Sequence, residues 1–179
     1  MHMSNSLGLQ DTQQTEGYGL EPNRDELEMR LKNGANWVYW IAGLSVINSL
    51  IYISGSDVSF LAGLGFTQLV AAFVDIAIES GAPAAMRGVS IVFSLVVVVV
   101  FGLFGYYANK RFTAAFVVGI ILYFLDGLLL LLLGVFFSAG FHAFALIFIV
   151  RGFLACRELN AFDAARAFQH PPPPPPAAL

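Results

Sequence analysis

The chain has 179 residues, 58% of them hydrophobic and 12% charged, with a mean hydropathy of +0.73, against roughly a quarter charged in a soluble domain. That composition excludes an ordinary soluble protein and describes one that lives in a bilayer. Nine Lys and Arg against twelve Asp and Glu give a net charge of −3, so no basic field exists to hold nucleic acid. The single Cys156 cannot close an intramolecular disulfide, and no Cys/His spacing suits zinc or an iron–sulfur cluster.

Residues 1–33 are polar and form an N-terminal tail, expected to be cytoplasmic. They contain no apolar run after a basic start, so no cleavable signal peptide is expected and the first membrane segment stays. Within the tail, Asn23 followed by Asp25, Glu26 and, later, Arg30 and Lys32 predicts a short capped helix that stops at Asn33-Gly34.

Five apolar stretches follow over residues 34–157. The first, Ala35 to Ile53, opens with Trp37, Tyr39 and Trp40, an aromatic anchor for the interface. Asn48, with Ser45 and Tyr52, lies on one side of it and is expected to hydrogen-bond across helices. The second, Val58 to Ile78, is the weakest, interrupted by Gly63, Gly65, Thr67, Gln68 and Asp75. On a helix, Gln68, Ala72, Asp75 and Glu79 share a face opposite Leu69, Phe73, Val74 and Ile76, a pattern that suits an interfacial or re-entrant segment. The third runs from Val89 to Tyr107, the fourth from Phe112 to Phe137 and the fifth from Phe141 to Cys156. Each approaches the ~20 residues needed to cross ~30 Å of hydrocarbon as a helix.

Charge asymmetry decides between four and five crossings. With five, the Lys and Arg of the flanking segments divide four against four. With four crossings and a non-spanning second stretch, Arg24, Arg30, Lys32, Lys110, Arg111, Arg157 and Arg166 share one side and Arg87 stands on the other, and that side is expected to be cytoplasmic. The prediction is an all-α helical bundle of four spanning helices plus one amphipathic interfacial or re-entrant segment, with both termini cytoplasmic; five spans is the alternative. Residues 158–179 are expected to form a short cytoplasmic helix followed by the stiff proline run Pro171 to Pro176.

Asp126 is the most informative polar residue, because an ionised carboxylate deep in an apolar helix needs a partner. Gly119, Tyr123, Gly127 and Gly134 surround it on one face, small enough to let another helix approach. If Ser138, Ala139 and Gly140 form the turn between the last two stretches, Asp126 and Arg151 lie at one depth and can pair. Snorkelling of Arg151 to the headgroups is the competing expectation. His142, beside that turn, reads as a hydrogen-bonded packing residue and not a metal ligand. The polar candidates are therefore Asp126, Arg151, Asp75, His142 and Asn48, with Gly119, Gly127 and Gly134 for helix packing.

Metalloprotease, nucleophile-elbow and phosphate-loop motifs are missing from the sequence. No cofactor is expected, and the expected partners are the bilayer and another membrane protein or a second copy. The segments Tyr123-Phe124-Leu125-Asp126-Gly127, Phe141-His142-Ala143-Phe144-Ala145-Leu146, Arg151-Gly152 and Trp37-Val38-Tyr39-Trp40-Ile41-Ala42-Gly43 resemble small bacterial multi-pass membrane proteins of uncharacterised function. The likeness spans roughly residues 35 to 157, with both tails outside it. It implies a bacterial inner-membrane location and carries no activity or catalytic residue. Three functions follow as expectations: a non-enzymatic accessory or scaffold subunit, a small transporter or proton-coupled protein using Asp126, or a lipid-interacting membrane-shape protein working through the second stretch.

Overall fold

A computed structural model describes residues 23–54 and 64–169; the proline run lies outside them. Five helices account for nearly all of this: α1 (Arg24–Ile53), α2 (Gly65–Glu79), α3 (Met86–Asn109), α4 (Thr113–Leu132) and α5 (Phe136–Gln169). Four of them, α1, α3, α4 and α5, are long and apolar enough to cross a membrane. The chain is thus an all-α integral membrane bundle. α2, with 15 residues, reaches only ~22 Å at 1.5 Å per residue.

α1 begins where the sequence says it should. The Asn23 side chain accepts a hydrogen bond from the Asp25 N–H, Asp25 and Glu26 occupy the first turn, and Arg24–Glu28 and Arg30–Glu26 pair one turn apart. The expected stop at Asn33-Gly34 does not occur. α1 continues through it because Gly34 lies against α5: a Cβ on Gly34 would stand 2.6 Å from the Gly152 Cα, and one on Gly152 would stand 2.7 Å from the Gly34 Cα. The glycine reads locally as a helix stop, yet here it allows two backbones to touch, as small residues do in membranes. On either side of it Leu27, Leu31, Val38, Ile41 and Ala42 bury the inner seam of α1.

The turns fix the order of the spans. α4 ends in a left-handed turn at Gly134 (φ +75), with Gly134 N–H bonded to Leu131 O and Val135 N–H to Leu130 O, the C-terminal closure that glycine favours. The turn between α4 and α5 therefore lies at residues 133–135, five residues earlier than Ser138-Ala139-Gly140 implies, and those three residues belong to α5. Gly134 is a turn residue at which a Cβ would meet no other described residue within 4 Å, which corrects its assignment to helix packing. The α3–α4 connection uses the same closure with Arg111 (φ 63) in the left-handed position: Arg111 N–H bonds to Ala108 O and Phe112 N–H to Tyr107 O.

Arg111 is held there by its own side chain and carbonyl. The guanidinium bridges Glu28 of α1 at 2.7 Å and Asp163 of α5 at 2.8 Å, and its carbonyl accepts from Cys156 and Asn160 of α5. Arg24 also meets Asp163 at 3.4 Å. One end of the bundle is thus tied across three elements.

Candidate functional site

Asp126 stands in the C-terminal half of α4 and is buried. Two backbone donors and one imidazole nitrogen converge on its carboxyl group: the N–H of Gly65 on Oδ2 at 2.8 Å, the N–H of Phe66 on Oδ1 at 2.7 Å, and His142 Nε2 in hydrogen-bond contact with Oδ2 at 2.9 Å. Gly65 and Phe66 are the first two residues of α2, whose N-cap residue, Leu64, offers no side-chain cap. Asp126 therefore caps α2 from another helix, satisfying amides that the first turn leaves open and standing at the positive end of the helix dipole.

The register of α4 allows this contact through two small residues. A Cβ on Gly65 would lie 2.5 Å from Leu130 Cγ, and one on Gly127 would lie 2.9 Å from His142 Cβ. Gly65 lets the start of α2 reach α4, and Gly127 lets α5 approach from the other side. Gly119 faces Phe104 of α3 at ordinary van der Waals distance, so it contributes to packing, as expected, but on the α3 side.

His142 is enclosed as completely. Its ring stacks on Tyr123 at 4.4 Å and 21°, its Nε2 meets Asp126, and its Nδ1 lies 2.8 Å from the Ser138 carbonyl oxygen. Both ring nitrogens thus face acceptors. A neutral imidazole has one N–H, so a proton lies in the Nε2···Oδ2 contact, carried by the ring or by the carboxyl group.

The ion pair expected with Arg151 is not formed. Arg151 is exposed on α5 and makes no ion pair among the described residues. With the turn at Gly134, Asp126 and His142 each stand eight residues from it on opposite strands of the hairpin, and they meet at one depth. His142 and Arg151 are nine residues apart, half a turn out of phase on a helix, so burying one face of α5 exposes the other residue.

α2 runs outward from this point. Its N-terminus is at the level of Ser45, eight residues inside the end of α1, where the Ser45 hydroxyl accepts from Leu64 N–H at 3.0 Å and donates to Ile41 O at 2.9 Å. Further along, Asp75 accepts from the Tyr52 hydroxyl at 2.9 Å and faces Arg87 at 3.3 Å, at the α1 C-terminus and the α3 N-terminus. α2 thus starts against the bundle interior and ends at its edge, a placement that fits the re-entrant form of the expected arrangement. Ser45 and Tyr52 make the cross-helix bonds expected of that side of α1. Asn48, between them, makes none among the described residues: its Oδ1 and Nδ2 are buried without a partner there, as is the Tyr123 hydroxyl.

Sequence reasoning missed the capping role of Asp126. Its signal was the pair Gly63 and Gly65 before an apolar amphipathic run, which marks a close backbone approach once a buried carboxylate needs amide donors. Asp75 does not join Asp126, and no group of three or more His, Cys, Asp or Glu side chains arranged for a metal ion occurs among the described residues. No family model matches the chain, and no curated protein or solved structure matches it.

Proposed function

We propose that this chain is a non-enzymatic accessory or interaction subunit of a membrane assembly, a bundle whose interior polarity serves to hold the re-entrant helix. One observation carries this reading: Asp126, the deepest carboxylate of the spanning helices, directs both oxygens at α2 and His142, so it is committed to internal contacts. A polar cluster satisfied in this way specifies which helices pack together.

The setting we infer is a bacterial inner membrane with both termini cytoplasmic. The resemblance noted for residues 35 to 157 supports the membrane, and the seven-to-one distribution of Lys and Arg between the two ends of a four-span bundle supports the orientation. The shared proton of Asp126 and His142 favours a second reading, proton-coupled transport, in which that proton exchanges along a polar path.

Purification of the intact chain from its own membrane in mild detergent, followed by pH-jump measurements in liposomes, separates the two. The accessory reading predicts a complex of fixed stoichiometry with another membrane protein and no proton flux from the purified chain. Isolation as a homo-oligomer whose proton flux disappears in Asp126→Asn overturns it in favour of transport.

A further inference from the structure

The outer face between α1 and α5 contains a cleft of about 470 Å³, lined by Asn33, Asn36, Trp37, Trp40, Phe141 and Phe148 among others. Its floor is aromatic. Trp37 stacks on Phe148 at 5.0 Å and 20° and meets Phe144 edge-on at 5.6 Å, while Trp40 is 65% exposed beside them. Its polar groups are confined to one end, where Asn33 and Asn36 stand.

The Gly34–Gly152 contact fixes the level of that end. Gly34 is where the polar start of α1 gives way to its apolar run, so Gly152 and its neighbour Arg151 lie at the boundary between headgroups and hydrocarbon. Phe144, Phe148 and Arg151 follow one another at spacings of four and three residues and share a face of α5. Arg151 is exposed and makes no ion pair among the described residues, in contrast to Arg24, Arg30, Arg87 and Arg111, each of which has a carboxylate partner. An unneutralised cation and two amide side chains thus stand together at the headgroup level, and an aromatic trough follows them into the hydrocarbon. That is the order of chemistry along a phospholipid.

We infer that this α1–α5 cleft is a binding site for one anionic phospholipid, with Arg151 meeting the phosphate and the Trp37, Trp40, Phe141 and Phe148 trough holding an acyl chain. The charge of Arg151 selects an anionic headgroup over a zwitterionic one. The inference is independent of the proposed accessory role, which rests on Asp126.

The chain's two tryptophans, Trp37 and Trp40, both line the cleft, so their fluorescence reports its occupant. The intact protein is reconstituted in phosphatidylcholine vesicles containing a rising fraction of either phosphatidylglycerol or phosphatidylcholine with brominated, quenching acyl chains. Brominated phosphatidylglycerol is expected to quench with roughly fivefold higher relative affinity, the factor that one basic side chain at an anionic surface supplies. Arg151→Gln removes the preference and Arg151→Lys retains it, while Arg166→Gln, which changes net charge equally on the exposed end of α5, leaves it in place. Equal quenching by the two lipids overturns the inference, as does a preference that survives Arg151→Gln. Loss of quenching by both lipids also overturns it, because the cleft is then covered by protein such as a second copy.

Discussion

At the scale of single residues, Asp126 shows how a buried charge is accommodated in a membrane bundle. A deep carboxyl group is costly unless hydrogen-bond partners surround it, and here two backbone amides and one imidazole do so at 2.7–2.9 Å. Removing one member leaves the others exposed to the same penalty, since an unpartnered buried group costs more than a satisfied one contributes. Asp126→Ala is expected to lower bundle stability by about 3–5 kcal/mol in detergent unfolding. In a double-mutant cycle, Asp126→Asn and His142→Phe should couple by roughly 0.5–3 kcal/mol, whereas Asp126→Asn and Arg151→Gln should add within about 0.5 kcal/mol. Coupling to Arg151 and none to His142 would contradict the arrangement of the site.

At the scale of elements, the sequence made the four long apolar helices legible. Length, composition and charge asymmetry are properties of whole segments and survive local ambiguity. The partner of Asp126 was not legible, because it depends on the position of one turn. The apolar run from Phe112 to Phe137 gives no sign of a break except Gly134, and Ser138-Ala139-Gly140 offers a stronger turn signal that the structure absorbs into α5. A shift of five residues in the hairpin tip replaces His142 by Arg151 as the residue at matching depth. Gly34 misleads in the same way, since a helix stop and a backbone contact both call for glycine.

The turn at Arg111 illustrates the reverse case, a side chain where glycine is expected. The left-handed conformation costs a side-chain-bearing residue roughly 1–2 kcal/mol. The partly exposed pairs with Glu28 and Asp163 offset part of that cost, each contributing about 0–1 kcal/mol. Arg111→Ala loses the pairs and keeps the strain, whereas Arg111→Gly loses the pairs and the strain together. Thermal unfolding in detergent should therefore find Arg111→Gly more stable than Arg111→Ala by about 1 kcal/mol, and the reverse order would show that the turn holds no left-handed strain for glycine to relieve.

At the scale of the whole molecule, four long helices and one short helix leave Arg24 and the end of α5 at the same end of the bundle, joined through Arg24–Asp163 and Arg111. The opposite end collects the α1 C-terminus, the outer end of α2 and the start of α3, joined through Tyr52, Asp75 and Arg87. These two polar seams close the bundle above and below a middle held by apolar packing and by the Asp126 cluster. The α2 segment can cap onto Asp126 from inside only if its chain enters and leaves on one side.

That requirement is tested most directly by labelling single cysteines in vesicles, in a Cys156→Ala background, with a membrane-impermeant thiol reagent. Cysteines at Ser54→Cys and Ala84→Cys, just after α1 and just before α3, should both react on the side opposite to a cysteine at Arg166→Cys. Reaction of Ser54→Cys and Ala84→Cys on opposite sides of the membrane would mean that α2 crosses it, and would contradict both the four-span bundle and the re-entrant helix seated on Asp126.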